Sequence, residues 1–542
     1  MAEAHASESQ TSESQTSESK SSESQSSERP RRAKRATSGG RAARVAERRA
    51  TEGRPNAAPP GQAGGLYRPL SGQDIQAVYA TALRLLADLG MGEAPDVLVE
   101  AAVARGAEVN DRGRLCFPRA LIEDIIAAHP KTFTYHGRDP ARSFEVGGDA
   151  VHFGTGGAAV QTVDLETGDY RASTLADLHD FTRLQDRLTN ISWFTRCCIA
   201  TDIEDAFDLD MNTAYALVAN TTKPVGTAFT LGAHVAPIVE MFDMVLGGEG
   251  RFRRAPFCKA HISPVISPMR YGEDAVDVTL ACVRAGVPIS SIIAAQSGAT
   301  APATLAGFLA QSLAETLAGL ALVHAFQPGH PVIFSNWPLV IDLRTGAFSG
   351  GGGESAVLNA ASAQVSNWLG LPSGVACSMS DAKAVDAQMG SEKAMAALAA
   401  GLAGGNMVYE SSGMMAALLG ASFEAFVLDD EMLGAVYRVI RGVEVTEETL
   451  GYDTICETVM GEGHFLGSAQ TMAAMERDYK FPDLADRAAP ATWAAEGSPD
   501  IRARARDKAR TILAEHHPDY IDAATDRAIR ERFNILMPPR DA

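Results

Sequence analysis

Seven short apolar runs, at 191–199, 224–229, 255–262, 287–295, 331–337, 374–379 and 406–409, alternate with helix-patterned stretches of roughly 12 to 20 residues. That alternation restricts the chain to repeated βα units. Each run is apolar at nearly every position, as strands covered on both faces are, while stretches such as 302–326 carry apolar residues at three- and four-residue spacing. Seven units, with an eighth strand expected near Val151 or Phe423, suit an α/β fold closed as a (β/α)8 TIM-type barrel. An open doubly wound sheet is the alternative. Against it, no Gly-x-Gly-x-x-Gly follows the first strand, and SGGGGES at 349–355 is a weak phosphate cradle.

Ahead of the barrel, Ser71 caps a helix with apolar residues at Ile75, Val78, Tyr79, Leu83 and Leu86, and further helices are expected over 95–105 and 118–128. This forms an α-rich lead-in. Behind the barrel, Ser498-Pro499-Asp500 opens charged C-terminal helices that run to Met537 on the outside. The N-terminus reads differently. SESQTSESQTSESK offers no apolar residue to offset the entropy of ordering, and an Arg-rich stretch follows at 29–54. The expected domains are a disordered arm over 1–65 and a barrel with peripheral helices over 66–542.

The arm is basic, with 11 Lys/Arg against 8 Asp/Glu in residues 1–54, which leaves 37 Lys/Arg against 59 Asp/Glu in the remainder. A body so acidic argues against nucleic acid as the main partner, because phosphate binding draws on a concentrated basic face. A cationic small molecule or a basic protein fits better. Seven cysteines (Cys116, Cys197, Cys198, Cys258, Cys282, Cys377, Cys456) lack the density of a disulfide framework, which points to a reducing cytoplasm. No secretory h-region opens the chain, and no window of about 20 residues reads as a membrane span.

In a barrel, the site lies at the carboxyl ends of the strands, so Thr201, Thr230, Ser263, Gln296, Asn336, Asp381 and Glu410 are the candidates. They hold no nucleophile paired with a base. Zinc is not expected. Cys258 and His261 sit three apart on one strand and therefore face opposite ways, Cys197 and Cys198 are adjacent, and neither C-x-x-C nor H-E-x-x-H occurs. Trp337, Tyr409 and Phe334 near strand ends suit a quaternary ammonium, which an aromatic face attracts by roughly 0.5 to 2 kcal/mol. Asp381, Asp386, Glu354 and Glu410 supply opposing charge. The alternative for each is an ordinary core aromatic or a helix-capping acid.

The motifs HFGTGGAAVQTVDLETGDYRASTLADL (152–178), NTTKPVG (220–226), ISPVISPM (262–269), GATAPATLAGFLAQSLAETLAGL (298–320), ESAVLNAASAQVSNWLGLPS (354–373), SDAKAVDAQMGSEKA (380–394) and LAGGNMVYESSG (402–413) together resemble the trimethylamine methyltransferase family. The resemblance implies a barrel whose open end binds a methylated amine and docks a cognate corrinoid protein, whose Co(I) takes the methyl group. It implies no cofactor held by this chain, since the corrinoid (cobalamin) travels on the partner. A homo-oligomer without nucleic acid or membrane is expected. Founding members carry pyrrolysine, whereas this chain has only standard residues, with 376–383 the expected region of its counterpart.

A tertiary amine departs as an amide anion unless first made cationic, whereas a quaternary ammonium departs as a neutral amine. The chain is therefore expected to resemble the glycine betaine corrinoid methyltransferases and to take glycine betaine, carnitine or a related betaine. The protein's work is positioning and removal of water. Gln470 in GEGHFLGSAQTM stands where a His is expected, a change bearing on specificity. A betaine-binding sensor or scaffold without turnover is the alternative function. A barrel lyase or aldolase is disfavoured because no strand-end Lys is paired with an acid.

Overall fold

The computed structural model describes residues 56–539. Expectations for the Ser/Glu repeats and the Arg-rich stretch lie outside the described residues. Residues 56–65, expected within the disordered arm, belong to the fold instead. Gln62 and Ala63 pair antiparallel with Val151 and Ala150 and close one edge of the main sheet.

That sheet has nine strands, eight of them parallel. In chain order the parallel strands are β1 (Ala150–Phe153), β2 (Phe194–Thr195), β3 (Val225–Thr227), β4 (Cys258–Ile262), β5 (Ile289–Ile293), β6 (Val332–Asn336), β7 (Ser373–Ala376) and β8 (Met407–Tyr409). A helix follows each: α1 (Leu175–Asp186), α2 (Ala206–Asn220), α3 (Val235–Val245), α4 (Glu273–Ala285), α5 (Leu305–Phe326), α6 (Gly353–Leu369), α7 (Ala387–Ala403) and α8 (Phe423–Arg441). The sheet curls. β1 pairs with β8, and Gly154, just past β1, bridges in parallel to Trp193, just before β2, while Ser192 N donates to Phe153 O at 2.8 Å.

All seven apolar runs contain a strand, but most outrun it. In 191–199 only Phe194–Thr195 is laddered, while Ile191 and Cys197 are buried loop residues. The eighth strand is the one containing Val151, and Phe423 opens α8. The expectation that no segment is apolar enough to span a bilayer needs correcting. α5 passes by length and composition, yet 83% of its most apolar 18-residue window is buried inside the fold, so its apolarity reflects a core helix.

The amino end of the sheet is plugged by a hairpin, Thr132–Tyr135 with Phe144–Gly147. Tyr135 and Val146 join the apolar cluster inside the curl, and Phe144 stacks on His152 at 4.1 Å. The carboxyl end is roofed by two small sheets built from the loops after the strands. Leu339, Phe348, Met379 and Leu418 from this side join the same cluster. Outside, the helix Ile501–Glu515 is pinned to α8 where Arg502 and Arg506 both bond Glu424.

Lys223 of the NTTKPVG motif explains how α1 is finished. Its buried ammonium donates to the carbonyls of Gln185, Leu188 and Ile191 at 2.7, 2.6 and 2.8 Å, satisfying groups the helix end leaves open. Lys223→Met removes three donors and leaves the carbonyls dry. We expect unfolding free energy to drop by about 2–4 kcal/mol, read from the urea midpoint at constant slope.

Candidate active site

Tyr409, the last residue of β8, stands in the middle of the curl. Its hydroxyl shares a hydrogen bond with Ser290 at 2.9 Å, and Ser290 another with Ser335 at 2.9 Å, which fixes the ring across β5 and β6. Around it lie Trp337 at 5.0 Å, Trp193 at 5.4 Å and His261 at 5.9 Å between ring centres. The Lys259 ammonium sits 4.6 Å from the centre of the Tyr409 ring and donates to Thr195 at 3.0 Å. Burial drives its pKa down to about 7. His261 is held neutral, since burial and the adjoining Lys259 push its pKa well below the usual value.

Glu410 follows Tyr409 with φ of 60°, a left-handed conformation that costs a side-chain-bearing residue on the order of 1–3 kcal/mol. Its carboxylate is fully buried, and neither oxygen has a hydrogen-bond partner among the described residues. Burial pushes its pKa up to about 8, against the pull of Lys393 and Lys259. Trp193 Nε1, Trp337 Nε1, His261 Nδ1 and Ser412 Oγ are also buried without partners. Native proteins satisfy nearly all such groups, so a cluster of exceptions marks a place meant for something else.

Two glycines of the HFGTGGAA motif face Glu410. A Cβ on Gly156 would lie 2.9 Å from one carboxylate oxygen, and one on Gly157 2.8 Å from the other and 2.9 Å from Met414 Cε. Gly157 also holds φ of +89°. Behind Glu410, Lys393 forms a buried ion pair with Asp429 at 3.0 Å and donates to Ser378 O, while Asp429 accepts from Gly413 N, tying the loops after β7 and β8 together. Gly157→Ala must displace the carboxylate. We expect turnover to fall about 10²-fold with the fold intact by circular dichroism, because a shift near 1 Å at the reacting centre costs that much.

Of the residues singled out from sequence, Trp337, Tyr409 and Glu410 come together. The others do not join them. Asn336 points from the opposite face of β6 and donates to Ser312 of α5 at 3.2 Å, while Phe334 packs in the same strand–helix layer, as alternation along a strand requires. Asp381 accepts from Ser349 Oγ and Gly350 N at 2.8 and 2.7 Å, so it fastens the Gly-rich loop. Glu354 is exposed in the first turn of α6, and Asp386 caps α7. Gln470 lies on an exposed helix past α8 and donates to Glu448 O. Cys258 and His261 do face opposite ways, the first into the strand–helix layer and the second toward Trp337.

Fold and site together define a βα-repeat protein whose curled sheet encloses aromatic rings, a buried carboxylate and a buried amine. A family model described as trimethylamine methyltransferase matches residues 37–534, and the chain belongs to that family. It is 29% identical to a glycine betaine methyltransferase of Desulfitobacterium hafniense, over 86% of this chain and 96% of that one. It is 30% identical to a trimethylamine methyltransferase of the same species over 85% and 93%. The corresponding enzyme of Methanosarcina barkeri is also 30% identical, over 83% and 91%.

Proposed function

We propose that this chain moves a methyl group from a quaternary amine, with glycine betaine as the reference donor, to the Co(I) corrinoid of a separate protein, acting as a closed (β/α)8 barrel. The observation that carries the reading is a pair of buried, opposite-sign groups, Glu410 and Lys259, that form no ion pair with each other. Each costs free energy to bury alone. A zwitterion bearing both an onium group and a carboxylate compensates both.

In this reading, Glu410 and the Trp337 and Trp193 faces hold the onium carbon, and Lys259 holds the carboxylate. The chain needs no general base, because the amine leaves uncharged. An apolar enclosure helps the reaction: electron-rich Co(I) gives its pair to the methyl carbon of a cation while the C–N pair leaves with the amine, and charge is lost on the way to the transition state, so removing water favours that state. The corrinoid is a substrate brought by its own protein, and what this chain contributes is position and exclusion of solvent.

The test is a panel of glycine betaine, carnitine, tetramethylammonium and trimethylamine supplied with photoreduced or Ti(III)-reduced cobalamin, following the cobalt absorbance and the demethylated amine. Demethylation of a betaine, without S-adenosylmethionine, is expected. No demethylation of any quaternary amine by folded protein would overturn the proposal. Micromolar betaine binding with no turnover would instead favour a sensor.

A further inference from the structure

On the outside of the barrel, the first turns of α7 and one face of α8, together with the chain segment 478–487 and the start of the helix Ile501–Glu515, enclose a cavity of about 590 Å³. Its wall is largely apolar, with Met389 on α7, Leu428, Met432 and Ala435 at helical spacing on α8, and Tyr479 and Pro482 on the segment. None of the residues grouped around Tyr409 lines it. Lys393 does, and the buried Lys393 and Asp429 pair forms the wall between this cavity and Glu410. Two glycines inside helices shape the space. A Cβ on Gly390 of α7 would meet nothing within 4 Å, whereas one on Gly434 of α8 would meet Lys480 Cε at 2.2 Å and Nζ at 2.6 Å. Glycine weakens a helix interior. Here one glycine leaves room open, and the other lets the lysine stem lie directly on the helix backbone.

The charges on the wall are unevenly committed. Each acid already has a partner: Asp386 caps α7, Asp429 pairs with Lys393, Glu431 accepts from Asp483 N, and Asp478 pairs with Arg477. Among the cations, Arg502 pairs with Glu424, and Arg438 donates to the carbonyls of Asp478 and Gly442. Lys480 and Arg487 form no hydrogen bond or ion pair among the described residues, although buried Asp430 lies within Coulombic reach of Lys480. Apolar walls with a few convergent polar groups are the make-up of a small-molecule pocket. A neutral or cationic ligand leaves both cations unpaired, whereas an anion engages them through charge-assisted hydrogen bonds. We propose that this cavity is a second ligand site, separate from the methyl-donor site, and that it takes an organic monoanion with an apolar tail, of the medium-chain carboxylate class. The head group meets Lys480 and Arg487, and the tail lies against Met389, Leu428 and Met432.

Calorimetric titration of the full chain with sodium octanoate, octylammonium chloride and 1-octanol at constant pH tests the assignment. Octanoate is expected to bind saturably with a Kd on the order of 10–100 µM, and the cation and the alcohol at least ~10-fold more weakly. Lys480→Met with Arg487→Met is expected to raise the octanoate Kd at least ~10-fold, to the level of the alcohol. Gly390→Leu places a side chain into the open space and improves the helix, so it is expected to abolish octanoate binding while melting no lower than wild type. No saturable octanoate binding by the folded chain, equal affinity for octylammonium or octanol, or an octanoate affinity indifferent to Gly390→Leu or to the double methionine variant would each overturn the site. Every readout is a binding measurement at residues outside the barrel interior, so failure here leaves the methyl-transfer reading standing, and failure of methyl transfer leaves this site standing.

Discussion

Glu410→Gln is expected to lower betaine demethylation by at least ~10²-fold while making the protein harder to unfold at alkaline pH, the reverse of the usual cost of a buried substitution. An unfolded Glu ionises near 4.5, and Glu410 in the fold near 8. Between those values the folded state keeps a proton the unfolded state has lost, so stability falls as pH rises through this window and is lowest above 8. The full cost is on the order of 5 kcal/mol, at about 1.4 kcal/mol per unit. Gln carries no such cost. The gap in urea midpoint between variant and wild type should widen from pH 5 to pH 8 and then stay constant. A variant less stable than wild type at pH 9 would show that the carboxylate is satisfied in the fold after all.

The same two groups shape how ligand binding responds to pH. Glu410 must be ionised to face an onium group, which improves as pH rises toward 8, while Lys259 must be protonated to face a carboxylate, which improves as pH falls toward 7. Betaine affinity should therefore peak between these values and weaken on both sides, with the apparent midpoints belonging to the pair. Glu410→Gln removes the rising limb and keeps the falling one. Calorimetry across pH 6 to 9 reads both.

Much of this architecture was legible because burial on both faces writes itself into sequence. β5, β6 and the helix α5 read directly from runs that are mostly apolar. Strand ends were less legible, since Ile191 and Cys197 are as buried as the laddered residues between them and differ only in hydrogen bonding. The same rule hid half the site. CKAHI in β4 alternates apolar and polar residues, with Lys259 and His261 both turned inward, but amid longer apolar runs it read as uniformly buried. Asn336 failed for the complementary reason: choosing the last residue of a strand ignores parity, and its neighbour Trp337 was the inward one. Glu410 was found because the chain turns there. Lys259, inside β4 rather than at its end, lies within the Coulombic reach of Glu410 without pairing with it, a proximity the strand-end residues alone do not reveal.

Lys259→Met is the substitution that separates a zwitterion site from a simple cation site. The ammonium already lies against the Tyr409 ring, so that face is closed to an onium ligand, which is left with Glu410 and the tryptophans. What Lys259 offers a ligand is a donor and a positive charge, and a charge-assisted hydrogen bond of this kind contributes about 1.5–3 kcal/mol. Methionine keeps the length and removes both. KM for glycine betaine should rise roughly 10- to 100-fold at pH 7.5. Tetramethylammonium has no carboxylate to lose and gains relief from a like charge, so its kcat/KM should hold or increase. Equal losses on both donors would mean that Lys259 only supports Tyr409 and Thr195, and the zwitterion reading would fall. A loss confined to betaine would fix which end of the donor lies toward β4, and with it the side from which the methyl carbon must be approached.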